Sequence, residues 1–540
     1  MTSTSPQVTD QRALASVTAP DSLVVPAEVH ADAETRSFAS RIAAGIRGAP
    51  MERRFLWLLL LLFAAKGVIF AYVFPPFTGH DEVAHYAYQK VLMEEGRLPL
   101  IPDPVAYNEA YQSGGSPTFD EIPDSFQKYH RYMTPDWFYR SETPDQVIRT
   151  VTYLGEYLPA GWIYTANHPP LYYLLMAPVW SLTDGQSPEF QLYAFRLAAI
   201  PLGMLTVLFA YLTTRRLFPG DTFLAVTVPA FVAFQPQIAY EAAMLNNDIL
   251  AIATTSACIY LIVVGLQNRF TVGLCAWLGF ALGLALLSKS TAVIVMPVIA
   301  IAMILRLGWK RIGAWLPKGG LVLAIAGIVS APWYLYMLKT YGSISALDYI
   351  LKLQWWNNQD GVTASITDQL FDRDFAWMRW KETWGEFGWR LIPLGDSLLR
   401  VLFWLTALVI IGLGVWAVLV AVFRWRARSA SFSRLRALAG NTDRIVTVSR
   451  WQAIGVLAMV VTCIVAYYAV LQFGTTFDLT QARYYFPAVN AGAILIMLGF
   501  RMLTPVRWQP WMQTAIFAGL FWLNVIILSS YVLPYWEAFS

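Results

Sequence analysis

The sequence predicts an all-α polytopic membrane protein, a bundle of about 11 transmembrane helices with two large extracytoplasmic loops. Three observations predict it. Of the 540 residues, 57% are hydrophobic and only 14% are charged, with a mean hydropathy of +0.47. A soluble domain carries about 25% charged residues. Apolar stretches near the spanning length of about 20 residues recur from Phe55 to Leu533. The strongly basic connections between them all fall on one side once the stretches are alternated across a bilayer.

Taken in order, residues 1–50 are polar and rich in Ser, Thr, Ala and Asp, and read as a disordered cytoplasmic tail. The first span is 55–74. Arg47, Arg53 and Arg54 precede it, which places the N-terminus in the cytoplasm. Later spans are expected at 190–214, 222–240, 249–266, 271–287, 290–306, 319–338, 397–423, 451–472, 485–503 and 511–533. Alternation then puts Arg215, Arg216, Arg269, Arg306, Lys310, Arg311 and Lys318 inside. Arg424, Arg426, Arg428, Arg434, Arg436, Arg444, Arg450, Arg501 and Arg507 fall on the same side. The segment 170–182 is apolar but too short to span, and reads as an interfacial or re-entrant helix at the outer surface.

Two outside loops follow, 75–189 and 339–396. Between Pro75 and His168 the first holds 13 acidic and 6 basic residues, and it is too long for a connector. The second carries Trp355, Trp356, Trp377, Trp380, Trp384 and Trp389, which suit either the headgroup level or stacking on sugars. The net charge of +4 is no nucleic-acid-binding stripe. Cys258, Cys275 and Cys463 lie in apolar stretches without metal-ligand spacing and read as small core residues. Walker A, Rossmann, HExxH and GxSxG patterns are absent.

The charged residues left at the outer face are few. Directly after the first span comes Gly79-His80-Asp81-Glu82-Val83-Ala84-His85-Tyr86, on a helix expected over 80–95. Asp81, His85 and Tyr88 share one face of it. The carboxylates are either functional or part of a capping box with Thr78 as N-cap and Asp81 at the third position. Asn167-His168-Pro169-Pro170 opens the interfacial helix, with His168 either at an anion-accepting N-terminus or an ordinary surface histidine. Asp248 is an N-cap or a second carboxylate at the level of Asp81. Lys289 breaks the basic-inside pattern and suits a lipid phosphate or snorkelling. Arg483 with Tyr484 and Tyr485 suits phosphate binding.

The ordered set resembles the GT-C superfamily of membrane glycosyltransferases, in the branch of protein O-mannosyltransferases and aminoarabinose-type lipid glycosyltransferases (glycosyltransferase family 39-like). The resemblance is carried by His80-Asp81-Glu82-Val83-Ala84-His85-Tyr86 with Glu95-Gly96-Arg97-Leu98-Pro99, then His168-Pro169-Pro170-Leu171-Tyr172 and Phe195-Arg196-Leu197. Asn247-Asp248, Leu287-Ser288-Lys289, Pro332-Trp333 and Arg483-Tyr484-Tyr485-Phe486-Pro487 complete it. One departure is His168, where a lysine often stands. The resemblance implies a GT-C-like glycosyltransferase domain over 51–540, a hexosyl- or pentosyltransferase of the cell envelope in a bacterial plasma membrane, with its active site extracytoplasmic. It implies a polyprenyl-phosphate-linked sugar donor and a glycan, lipid or protein acceptor, alongside membrane lipids and no nucleic acid. In that reading Asp81 is the general base and Glu82 its catalytic partner. His85, His168, Asp248, Lys289, Arg483 and Tyr484 bind substrate. No Asp-x-Asp stands in the first loop, so no cofactor and no metal ligand is expected. The other class compatible with many spans and charges at one face is a transporter or flippase of lipid-linked saccharides.

Overall fold

In the computed structural model the described residues are 51–101, 104–105, 163–352, 365–388, 392–426, 448–476 and 481–537. The expected tail 1–50, the middle of the first loop, Trp355, Trp356, Trp389 and the arginines of 427–447 lie outside them. The bundle lies within 55–540, with the first turn of its first helix preceding that boundary.

The segment opens on α1 (Met51–Val73), which stops where Pro75 and Pro76 deny it further N–H donors. After a tight turn comes α2 (Glu82–Glu94). Then follow the short α3 (Leu171–Leu182) and the long α4 (Pro188–Leu217). Next come α5 (Thr222–Phe234), α6 (Pro236–Ala242), α7 (Asp248–Asn268) and α8 (Val272–Ser288). The second half holds α9 (Val295–Leu307), α10 (Ile312–Tyr341), α11 (Arg373–Trp384), α12 (Asp396–Arg426), α13 (Arg450–Gly474), α14 (Val489–Leu503) and α15 (Gln509–Ile527). A two-residue antiparallel ladder, Glu386–Phe387 against Ile392–Pro393, is the one sheet among the described residues.

This is an integral membrane protein. Nine of the described helical stretches are long and apolar enough to cross a bilayer, and α5 with α6 makes a tenth if counted as one bent span. The remaining expected span is α8, an apolar helix of 17 residues, about one turn shorter than α7. Each expected span is thus a helix, with 222–240 corrected to a broken one. Pro236 forces the break: it has no N–H, and it drives Gln235 into an extended conformation, so the chain bends by 58°. The carbonyls freed there are met by side chains from two other spans. Asn524 donates to Phe234 O at 2.7 Å, and Lys66 donates to Gln235 O at 3.4 Å and to Asn524 Oδ1 at 3.2 Å. Inside a bilayer no water could do this.

Helix α3 has 12 residues, about 18 Å of rise, and is too short to span. It buries Tyr172, Tyr173, Met176 and Trp180 and leaves Leu174, Leu175 and Leu182 outward. Spans α12 and α14 cross at Gly412 and Gly499, where any Cβ on Gly412 would collide with the Gly499 carbonyl. Small residues at such crossings let backbones touch in lipid.

The two ends of the bundle differ in chemistry. At one end Arg306 donates to Leu266 O, Lys318 to Arg269 O at 3.1 Å and Arg450 to Leu305 O at 3.3 Å. Arg501 pairs with Asp221 at 3.1 Å. These are the residues expected on the cytoplasmic side, and they gather together. At the other end lie Asp81, His85, His168, Asp248, Lys289 and Arg483.

Candidate active site

The turn between α1 and α2 shapes the first part of the site. Thr78 is not the cap: its hydroxyl donates back to Pro75 O at 2.7 Å. Asp81 is itself the N-cap residue, in the left-handed region at φ 59°, with no side-chain capping bond. The capping-box alternative therefore fails, and helix 80–95 shortens to Glu82–Glu94. Left-handed backbone costs a non-glycine residue energy, and aspartate tolerates it better than most. It leaves the Asp81 carboxylate free to turn away from its own helix. Gly79 is required two residues earlier, because a Cβ there would meet Met244 Sδ at 2.6 Å.

Glu82 points elsewhere. Its carboxylate accepts from Arg196 Nε at 2.8 Å and Arg196 Nη2 at 2.5 Å, from Gly79 N at 3.0 Å and from Leu245 N at 3.0 Å. Arg196 also donates to Ala71 O, Phe74 O and Pro75 O, the last carbonyls of α1. Both side chains are fully buried. This bidentate pair ties α1, α2, α4 and the turn before α7 together. His80 stands with Glu241 at 3.3 Å, and Asn246 donates to the same carboxylate at 3.1 Å.

The second carboxylate is also freed from capping. Asn247 is the N-cap residue of α7, and Asn246 Oδ1 accepts from Asp248 N at 3.0 Å and Ile249 N at 3.3 Å. Asp248 instead holds Lys289 at 2.5 Å and lies 3.5 Å from Arg483 Nη1. Arg483 Nη2 in turn holds Asp81. Asp81, Arg483, Asp248 and Lys289 thus form one buried chain of alternating charge, each at most 7% exposed. Lys289 neither snorkels nor reaches the surface. Its ammonium lies 4.9 Å from the Tyr484 ring, and the Arg483 guanidinium 5.4 Å from the same ring. Asn247 Oδ1, Gln481 Oε1 and Arg483 Nε are buried without a hydrogen-bond partner among the described residues.

Beside this chain sits an imidazole pair. The rings of His85 and His168 stack with centroids 5.8 Å apart and planes within 14°. His85 Nδ1 shares a hydrogen bond of 2.8 Å with the Tyr173 hydroxyl, and Tyr173 stacks on Tyr88. Burial pushes His85 down to about 3, outweighing the upward pull of Asp81. His168 is also held well below the usual histidine range, by burial and then by Lys289. Both imidazoles are neutral at physiological pH. Asn167 Oδ1 accepts from Ala346 N at 2.8 Å and fastens the start of α3 to the second loop.

A cavity of about 550 Å³ has Ala482 and Tyr485 in its wall, with Phe231, Arg379, Trp380, Trp384 and Ile496 among the other lining residues. The volume is that of an ordinary small-molecule site, but the lining is almost wholly apolar. Two of the loop tryptophans therefore serve the cavity wall.

All eight residues singled out from the sequence except Glu82 converge on this one place: Asp81, His85, His168, Asp248, Lys289, Arg483 and Tyr484. Arg196 as the partner of Glu82, and Lys66 at the α5–α6 break, were not anticipated. A charged residue inside an apolar span is the signal that marks Lys66.

The class this defines is a polytopic membrane protein with a buried ionic site at one end of its bundle, as the resemblance to GT-C glycosyltransferases implied. Residues 167–336 match the family described as dolichyl-phosphate-mannose-protein mannosyltransferase. That match takes in α3 through most of α10 and supports glycosyl transfer as the general chemistry. No curated protein sequence matches the chain. Among solved structures, ArnT from Cupriavidus metallidurans bound to undecaprenyl phosphate is similar at 14% identity and TM-score 0.40, over 89% of this chain and 72% of that one. The oligosaccharyltransferase of Archaeoglobus fulgidus, in complex with Zn and sulfate, is similar at 15% identity and TM-score 0.47. Here 88% of this chain covers 53% of the other. AglB from the same organism, with an inhibitory peptide and a dolichol-phosphate, is similar at 12% identity and TM-score 0.44, over 89% of this chain and 56% of that one.

Proposed function

We propose that the protein moves a sugar from a polyprenyl-phosphate carrier to an extracytoplasmic hydroxyl acceptor, with Asp81 as general base. The observation that supports this reading is the presence of two buried cations, Arg483 and Lys289, together with a mainly apolar cavity whose wall includes Ala482 and Tyr485, the residues on either side of Arg483 and Tyr484 in the chain. The apolar lining suits part of an isoprenoid chain, and the cations suit a phosphate. The basic ends at the opposite pole support an extracytoplasmic site, since Lys and Arg are retained in the cytoplasm.

The step is a single displacement. The acceptor oxygen forms a bond to the anomeric carbon as the bond from that carbon to the phosphate oxygen breaks. The bonding electrons go to the phosphate, and the acceptor proton goes to Asp81. One displacement inverts the anomeric centre. Lipid phosphate leaves readily, so the protein has to hold its growing negative charge, the role given to Arg483 and Lys289. Asp248 positions Lys289. Glu82, whose lone pairs are all engaged with Arg196 and backbone N–H groups, is a positioning residue here rather than a reacting one. With Nδ1 of the neutral His85 imidazole engaged by Tyr173, its Nε2 is the nitrogen that would meet a sugar or acceptor hydroxyl.

The test is transfer of radiolabelled sugar from crude polyprenyl-phosphate sugars by purified protein, wild type beside Asp81→Asn. Loss of a general base costs about 10²–10⁴-fold in rate. Full activity in Asp81→Asn would remove Asp81 from the mechanism. No transfer by either protein across many donors and acceptors would favour lipid-saccharide transport.

A further inference from the structure

The geometry points to a second role for Arg483: it is a positioning residue that holds the Asp81 carboxylate until a lipid-linked phosphate takes the guanidinium, so that the donor binds before the acceptor is activated. This rests on the lipid-phosphate reading above.

Charge balance is the first reason. Asp81, Asp248, Lys289 and Arg483 carry two negative and two positive charges, all buried. A phosphate anion added to this set leaves surplus negative charge out of water, which is costly unless the pairs rearrange. Asp248 has a second cation, Lys289 at 2.5 Å, besides the more distant Arg483 at 3.5 Å. The rearrangement therefore falls on Asp81.

Unused donors are the second. Arg483 Nη2 serves Asp81, while Nε has no hydrogen-bond partner among the described residues and Nη1 has only the Asp248 carboxylate at 3.5 Å, an ion pair without a hydrogen bond. Buried polar atoms are nearly always bonded, and Asn247 Oδ1 and Gln481 Oε1 are likewise unmatched nearby. A planar fork with spare N–H groups suits two phosphate oxygens at once. The third reason is basicity. A guanidinium in contact favours the ionised carboxylate and makes it a poor proton acceptor. Drawing Arg483 towards phosphate restores proton affinity when the sugar is in place.

The experiment measures binding of undecaprenyl phosphate to protein in nanodiscs, read by quenching of the tryptophans, which include Trp380 and Trp384 in the cavity wall. Undecaprenol is the uncharged control. Asp81 competes with phosphate for Arg483, so Asp81→Asn should bind undecaprenyl phosphate about tenfold more tightly than wild type, a typical coupling between linked sites. Asp81→Ser, a second neutral variant, should show the same gain. The gain should vanish in an Arg483→Gln background, and undecaprenol binding should not move. Unchanged or weaker binding by both Asp81 variants, or a gain that survives Arg483→Gln, would overturn the coupling while leaving the donor reading intact. Equal binding of undecaprenyl phosphate and undecaprenol by wild type and every variant would overturn the donor reading, and the coupling with it.

Discussion

Glu82→Gln separates positioning from catalysis in this site. The substitution keeps the shape of the side chain and removes its charge. In the native protein the two carboxylate oxygens receive four N–H donors at 2.5–3.0 Å, two of them from Arg196. Glutamine has one acceptor oxygen, so its amide NH₂ must face N–H groups of Arg196 or the backbone. Arg196, fully buried, loses its counter-charge. Removing one partner of a buried pair costs about 3–5 kcal/mol. A stranded backbone N–H adds about 1–3 kcal/mol. At about 1.4 kcal/mol per tenfold, the lower bound of the sum already approaches a thousandfold shift towards unfolding. Membrane proteins of this size unfold irreversibly, so the observable is a rate. The assay is the half-life of the monodisperse peak on size exclusion at fixed temperature in one detergent, for wild type, Glu82→Gln and Asp81→Asn. The expected order is a severe loss for Glu82→Gln and a smaller one for Asp81→Asn, because Arg483 keeps Asp248 within 3.5 Å. A Glu82→Gln protein with wild-type half-life and no transfer activity would refute the assignment and return Glu82 to the reaction.

Three further outcomes are expected. His85 titrates near 3 when folded and near 6.5 when unfolded, so the unfolded chain binds more protons between those values. The stability from its neutral burial is present above pH 6.5 and is lost as pH falls towards 3; unfolding half-lives at pH 5 and 7.5 should differ less in His85→Gln than in wild type, and an equal pH effect in both would contradict the burial of a neutral ring. Ile496→Trp fills part of the cavity whose wall includes Ala482 and Tyr485 and should weaken binding of undecaprenyl phosphate by about tenfold, the scale of one misfitting side chain at about 1–3 kcal/mol; unaltered affinity in a titration would place the lipid elsewhere. Transfer should persist after dialysis against EDTA, since Asp81 and Asp248 are each engaged by a cation of the protein; loss restored by a divalent ion would show a metal requirement.

The sequence was most informative where chemistry and periodicity agree. Span positions followed from hydropathy, because a bilayer admits only helices whose backbone is internally bonded. The grouping of Arg306, Lys318, Arg450 and Arg501 at one pole followed from the charge asymmetry of loops. The gathering of Asp81, Asp248, Lys289 and Arg483 at the opposite pole was legible as well: each is an ionisable group at the mouth of an apolar span, where charge is too costly to be idle. Local capping rules misled at two of these sites. Thr78 and Asp248 both have the side chains of N-caps, yet the turn at Pro75–Asp81 and the amide of Asn246 decide otherwise.

What the sequence by itself determined is therefore the class of protein, the approximate positions and order of its apolar helices, and the ionisable residues that gather at one end of the bundle. These depend on transfer free energies that are properties of single residues and short runs. Only the tertiary structure decided which charge meets which. Arg483 is 402 positions from Asp81, and Arg196 is 114 from Glu82. Adjacent carboxylates Asp81 and Glu82 leave a single turn in different directions, because Asp81 adopts a left-handed backbone. One joins the buried chain of alternating charge and the other becomes a brace for four segments of the chain. Pairing energy depends on distance and burial, and neither exists until the helices have packed.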